Sequence, residues 1–188
     1  MSVIVLAEHQ QGSFKKKSFE AIQYAAGIAQ AMGTSVTAVV LGNATDSEMQ
    51  QLGQYGAAKV LHVADARLDN LNARAYTKAL AAAAEKEGAK VVVGLHDVTG
   101  KAVFPRVAAR LKAGMVAGAV AQPELSNGFV VKKTVFSGKA FASVSITSDV
   151  KVVRLMPNTF AVKKGEGSTT VEKLDVAFED KDFAVQVK

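Results

Sequence analysis

Residues 89–111 read AKVVVGLHDVTGKAVFPRVAARL. The stretch opens on a β-branched apolar run, passes through a glycine-bearing polar turn, and continues with Val103, Val107, Ala108 and Leu111 at helical spacing. Strand, turn and helix in that order form half of a parallel α/β unit. The pair Gly100-Lys101 also gives the turn the look of a phosphate-binding loop. Such a loop requires G-x-x-x-x-G-K-[ST], because four residues let the backbone N–H groups curl around the phosphates and the hydroxyl binds magnesium. Here residues 95 to 99, one too many, separate Gly94 from Gly100, and Ala102 stands where the hydroxyl belongs. Both departures strike the mechanism. The stretch therefore predicts a strand ending at Gly94 and a helix starting near Thr99, capped by Asp97 or by Thr99 itself. A weaker anion site remains at the helix start, with Gly94, Thr99, Gly100 and Lys101 as its candidate residues.

The same alternation runs backward from this point. SVIVLA (2–7) reads as a buried first strand, and EHQQGSF (8–14) as a polar loop. A helix begins near Lys17, carries Phe19, Ile22, Ala26 and Ala29 on one face, and ends at a glycine cap, Gly33. TSVTAVVLG (34–42) and AKVLHVA (58–64) are further strands, separated by a short helix with capping-box spacing at Thr45 and Glu48. A long helix covers 72–87, with Ala73, Tyr76, Leu80, Ala83 and Ala84 inward. This alternation predicts a three-layer α/β/α fold with a mainly parallel sheet, which places ligands beyond the carboxyl ends of its strands. Those ends fall near Glu8-His9, Gly42-Asn43, Ala64-Asp65 and Gly94 to Thr99.

After residue 113 the texture changes. MVAGAVAQ is extended, and Asn127-Gly128 and Ser137-Gly138 mark hairpins. VKVVRLM (150–156) is another strand. The second half is expected to extend the sheet with antiparallel strands. The division is an α/β domain over 1–162, then a loop, an edge strand and a lead-in to a further domain over 163–188. No linker-like segment separates the halves of 1–162.

Composition narrows the chemistry. The chain has no cysteine and no tryptophan, which excludes disulfides, thiolate metal sites and cysteine nucleophiles. The net charge of +6 comes partly from small lysine groups such as Lys15–Lys17 and Lys132-Lys133. Aromatic residues do not alternate with them, so a nucleic-acid surface is not expected. The opening run is too short for a signal peptide, and no apolar run reaches the ~18 residues of a membrane span. A cytoplasmic protein of bacterial type, without signal or transit peptide or membrane insertion, is expected. The histidines His9, His62 and His96 lack metal-site spacing; His96-Asp97 reads either as a proton-transfer pair or as a polar strand end. Ser143, Ser145 and Ser148 sit in no nucleophile elbow. Arg106 and Arg110 are one helical turn apart and fit surface ion pairing.

The order of segments resembles the N-terminal domain of the electron transfer flavoprotein alpha subunit. VIVLAEHQQGSFKKKSFEAIQYA, QYGAAKVLHV, VVVG followed by TGKAVFPRVAARLKAGMVAGAV, FSGKAFASVSI and VKVVRLMPNTF carry the likeness across most of residues 3 to 162. Two departures stand out. The family often has Tyr-Ala-Gly-Asn where this chain has Phe136–Lys139, and Arg-Pro where Leu155 and Met156 separate Arg154 from Pro157. The resemblance implies a fold like that of adenine-nucleotide hydrolases and a non-catalytic scaffold that pairs with a beta subunit. It implies that FAD belongs to a C-terminal domain whose glycine-rich signature this chain does not contain. AMP is implied in the beta subunit, with no cofactor bound by this chain. Flavin dehydrogenases and a quinone reductase are implied as partners through the full complex. The uncovered subunit surface is expected to self-associate. The alternative is a free-standing adenine-nucleotide-binding module using the crevice near Gly94 and Thr99.

Overall fold

The computed structural model describes residues 2–185; the last three positions of the expected lead-in lie outside the described residues. In chain order the elements are β1 (Ser2–Leu6), β2 (His9–Gln10), β3 (Ser13–Phe14), α1 (Lys16–Ala31), β4 (Ser35–Leu41), α2 (Asp46–Gln50) and β5 (Lys59–Val63). They continue with α3 (Ala73–Glu87), β6 (Val91–Leu95), α4 (Val98–Arg110), β7 (Gly114–Ala119), β8 (Phe129–Val135), β9 (Ala140–Ile146), β10 (Lys151–Leu155) and β11 (Thr170–Lys173). Nine strands form one sheet in the order β11-β5-β4-β1-β6-β10-β7-β8-β9. Every pairing from β11 to β7 is parallel, and β8 and β9 extend the β7 end antiparallel.

The two faces are covered as the helix stripes dictate. α1 places Ile22, Ala25 and Ile28 against Val3, Val5 and Val93 on one face. α3 and α4 place Leu80, Phe104 and Val107 against Ile4, Leu61 and Val92 on the other. The switch from one face to the other falls between β1 and β6, which opens a crevice at their carboxyl ends. No helix among the described residues is long and apolar enough to cross a membrane.

Three expectations change. The loop 8–14 is a two-stranded hairpin, β2 with β3, turning through Gln11 and Gly12 at φ 50° and 83°; paired positive φ values are what a tight hairpin turn requires. VKVVRLM does not join the antiparallel extension: β10 is parallel and lies between β6 and β7. Its residues Val152 to Leu155 are all buried, as befits a strand covered on both faces. The strand after Lys90 also runs one residue past Gly94, to Leu95.

Two contacts tie the later segments to the α/β layers. Glu20 on α1 is buried, and its carboxylate accepts the backbone N–H groups of Asn158, Thr159 and Phe160 at 2.9, 2.7 and 2.9 Å. It thereby fixes the loop after β10. The segment before β11 crosses the short helical turn at Gly53 so closely that a Cβ there would lie 2.5 Å from the Ser168 carbonyl carbon. That approach lets the edge strand β11 pair with β5.

Removing the Glu20 carboxylate leaves three N–H groups without their acceptor. Glu20→Ala is expected to cost about 3 kcal/mol by urea unfolding, at the upper end for bonds to a charged group. Glu20→Gln keeps one acceptor oxygen and is expected to lose clearly less.

Candidate functional site

The crevice at the carboxyl ends of β1, β4 and β6 contains a cavity of 370 Å³ with Leu6, Leu41 and Leu71 in its wall and Glu8, Lys17 and Thr99 among its polar groups. A wider, more open hollow of 930 Å³ adjoins it around His9, Asn43 and His62. Glu8 follows β1, Lys17 opens α1, and Asp97 is the N-cap of α4. Lys17 Nζ bridges the two acids, 3.2 Å from Glu8 Oε2 and 2.6 Å from Asp97 Oδ2.

One cation shared between two carboxylates cannot satisfy both equally. Burial and then the negative charge of Asp97 push the Glu8 carboxyl up, against the pull of Lys17. Glu8 Oε1 is buried without a hydrogen-bond partner. Burial also opposes ionisation of Asp97, but Lys17 and the Gly100 amide outweigh it and hold that carboxyl below its usual range. Lys17 stays charged: its two acids outweigh its desolvation. The nearby Tyr76 phenol donates to the Leu68 carbonyl at 2.7 Å and is pushed up to about 12 by burial, with Glu8 and Asp69 adding to it. The crevice is thus mixed in charge and half apolar, with Glu8 and Asp69 set against Lys15 and Lys17 and with Lys17 already engaged by two acids.

The four residues predicted for an anion do not form a cradle. A Cβ on Gly94 would lie 1.9 Å from Phe104 Cζ, so this glycine makes room for an aromatic ring. A Cβ on Gly100 would lie 1.7 Å from the Leu95 carbonyl oxygen, so this one lets α4 rest on the end of β6. The Gly100 amide donates to Asp97 Oδ1 at 2.9 Å. The chain's own carboxylate therefore occupies the position a phosphate would take. Thr99 lines the crevice, and Lys101 is exposed on α4.

The histidines serve local structure at two of three positions. His9 accepts the Gly12 amide at Nδ1 and, in the tautomer this fixes, donates from Nε2 to the Leu41 carbonyl at 2.7 Å, pinning the hairpin to β4. His62 Nε2 lies 2.8 Å from the Gly42 carbonyl. Asp97 is engaged by Lys17 at 2.6 Å and by the Gly100 amide at 2.9 Å, and the buried His96 Nδ1 has no hydrogen-bond partner among the described residues, so His96 and Asp97 are not hydrogen-bonded through that nitrogen. Arg106 and Arg110 are exposed. No group of three or more metal-ligating side chains occurs among the described residues. The sequence places Glu8 at a strand end where ligands are expected and Lys17 at a helix start, but gives neither a role in a site.

A mainly parallel sheet between two helical layers, with a crevice at its topological switch point, defines the class of doubly wound three-layer α/β domains. Within that class, residues 3–179 match the family model described as electron transfer flavoprotein domain, and the chain belongs to that family. The alpha subunit of the electron transfer flavoprotein of Bacillus subtilis is 31% identical over 186 residues, covering 98% of this chain and 57% of that protein. The corresponding subunit of Syntrophomonas wolfei is 26% identical over 184 residues, with 98% and 57% covered. A protein of Anaerotignum propionicum named acryloyl-CoA reductase electron transfer subunit beta is 30% identical over 114 residues, with 60% of this chain and 31% of that protein covered. The chain matches the N-terminal domain of these alpha subunits. It spans little more than half the length of the alpha subunits from B. subtilis and S. wolfei.

Opposite pH signatures follow for the two acids. Asp97, with its carboxyl depressed, contributes stability above about pH 3.9, the ordinary Asp value, and loses it as pH falls through the folded-state pKa. Asp97→Ala is expected to cost about 1 kcal/mol at neutral pH through the lost cap alone, with the penalty shrinking in acid. Asp97→Asn keeps the Gly100 acceptor and is expected to cost less. Glu8, with its carboxyl raised, weakens the fold once ionised. Glu8→Gln is therefore expected to gain stability relative to the parent as pH rises through the raised pKa, then level off. Thermal unfolding from pH 3 to 8 reads both trends.

Proposed function

We propose that this chain is the scaffold and heterodimerisation domain of an electron transfer flavoprotein alpha subunit. The whole protein would carry electrons from flavin dehydrogenases, such as those acting on acyl-CoA, through FAD toward the quinone pool. FAD would be held by residues outside this chain, and AMP by the beta subunit. The observation that carries the reading is the family match over residues 3–179 on a fold whose phosphate position is filled by Asp97. The residues present do not fit a flavin pyrophosphate. Gly94 and Gly100 are consumed by packing, and Lys17, the lysine at the centre of the crevice, is already paired with Glu8 and Asp97.

Assembly rather than chemistry is what the remaining surface supports. At the far end of the sheet β9 has no further strand beside it among the described residues, and Phe136 and Phe141 on the same hairpin are 79% and 61% exposed. An uncovered strand edge flanked by exposed aromatics favours association. The alpha-subunit names of the relatives and the subunit name of the A. propionicum protein agree with a multi-subunit setting.

Purified alone, the chain is expected to carry no stoichiometric flavin by its visible spectrum. Coexpressed with a beta subunit it is expected to copurify with it, and Phe136→Ser with Phe141→Ser is expected to weaken that association at least ten-fold. A yellow, flavin-saturated chain would overturn the reading. Calorimetry with AMP separates the alternative: tight nucleotide binding within the Glu8-Lys17 crevice, lost on Thr99→Ala, would favour a nucleotide-binding module instead.

A further inference from the structure

Arg154 lies at the end of β10, between β6 and β7, and is only 6% exposed. Its Nε and Nη1 are buried and have no hydrogen-bond partner among the described residues. His96, whose amide is bonded to the Leu155 carbonyl at 2.7 Å, presents a buried Nδ1 that is equally without a partner. A buried guanidinium left unpaired is costly, so its two nitrogens call for an acceptor, and the His96 Nδ1 can join them as a donor in its Nδ1–H tautomer.

The described residues do not provide one. The carboxylate whose charge reaches Arg154 is Asp97, and Asp97 is already bound by Lys17 at 2.6 Å and by the Gly100 amide at 2.9 Å. The other charges around His96 are positive. Burial first, then Arg154, Lys101 and Lys133 hold its imidazole below the usual range, with Asp97 opposing them. These groups come from four places: Arg154 from β10, Lys101 from the first turns of α4, Lys133 from β8 and His96 from the end of β6. The sheet is adapted at the same point. The pairing of β10 with β7 shifts between Arg154 and Leu155, and Gly118 opposite the shift adopts φ +80°. Such bulges re-aim side chains beside functional sites.

We propose that Arg154, His96 and Lys101 form a receptor for a dianionic oxyanion of the phosphate class, on the β10 side of α4 and distinct from the Glu8-Lys17 crevice. The preference for two charges follows from the balance of the groups. The charges of three cations, Arg154, Lys101 and Lys133, reach His96 against one engaged carboxylate, and a monoanion would leave most of that charge uncompensated. The bound group is inorganic phosphate or the phosphate of a nucleotide. This inference stands apart from the subunit reading above and fails or holds independently of it.

Isothermal titration of the chain with inorganic phosphate, sulfate and AMP, at an ionic strength matched with chloride, tests the receptor. Saturable binding of phosphate and sulfate is expected, at least ten-fold weaker in Arg154→Gln and several-fold weaker in Lys101→Ala. Glu8→Gln is expected to leave it unchanged. AMP binding ten-fold tighter than phosphate would identify a nucleotide source, and equal affinities a free anion; either supports the receptor. Should Arg154→Gln fail to fold, the exposed helix position of Lys101 keeps the test open: an unaltered phosphate affinity in Lys101→Ala overturns the proposal. So does the absence of saturable phosphate binding, or sensitivity to Glu8→Gln in place of Lys101→Ala. Acetate binding as tightly as sulfate would also overturn it, and would assign Arg154 to a carboxylate side chain of a partner protein.

Discussion

The close seating of α4 on β6 is the constraint from which the rest of the crevice follows. Phe104 can lie over the strand because Gly94 has no side chain, and the first turn can touch the Leu95 carbonyl because Gly100 has none. With the helix held that near, Asp97 becomes its N-cap and its second oxygen meets Lys17 of α1. A helix from one face of the sheet and a helix from the other are thus tied by a single carboxylate. Relaxing the seating would move the cap, the ion pair and the desolvated Glu8 together. Overpacking a site of this kind costs about 1–3 kcal/mol, so the two glycines are held by packing as firmly as a ligand would hold them.

How much of this is legible in sequence depends on how local each feature is. The strand-helix alternation of residues 2–111 follows from periodicity, and the caps at Gly33, Thr45 and Asp97 from residue type; all lie within a few residues of their cause. The place of β10 does not. VKVVRLM declares a strand, but its neighbours β6 and β7 are selected by nonlocal packing. The hint that was present is its near-continuous apolar run, which fits a central parallel strand better than an antiparallel edge. The hairpin at 8–14 was hidden because Gln11 adopts a positive φ that glycine ordinarily marks.

The site was less legible than the fold for the same reason. Glu8, Lys17 and Asp97 meet from positions 80 or more residues apart in the case of Lys17 and Asp97, and no spacing rule encodes such a meeting. Gly94, Gly100 and Lys101 drew attention because their types match a phosphate loop, yet the same types satisfy a packing requirement. A glycine reports that a Cβ is not tolerated; it does not report whether a ligand or a phenylalanine ring excludes it. Arg154 carried no motif at all, and its burial without a partner becomes visible only once β10 is placed between two parallel strands.

Two opposite electrostatic arrangements therefore sit at the two ends of one short turn. On the α1 side of residues 96–99, Glu8 and Asp97 share one lysine, which is left with no charge to offer a ligand. On the β10 side, Arg154 and His96 have buried nitrogens without acceptors, and Lys101 and Lys133 add to the positive field. The cap itself divides them: Asp97 spends its charge on Lys17 and Gly100, which neutralises the helix start and leaves Arg154 uncompensated. At the first position an internal carboxylate caps the helix without any ligand. The second position gains nothing from that substitution. A desolvated guanidinium without an acceptor is costly, and on that ground the anion is proposed at Arg154 rather than at the helix start.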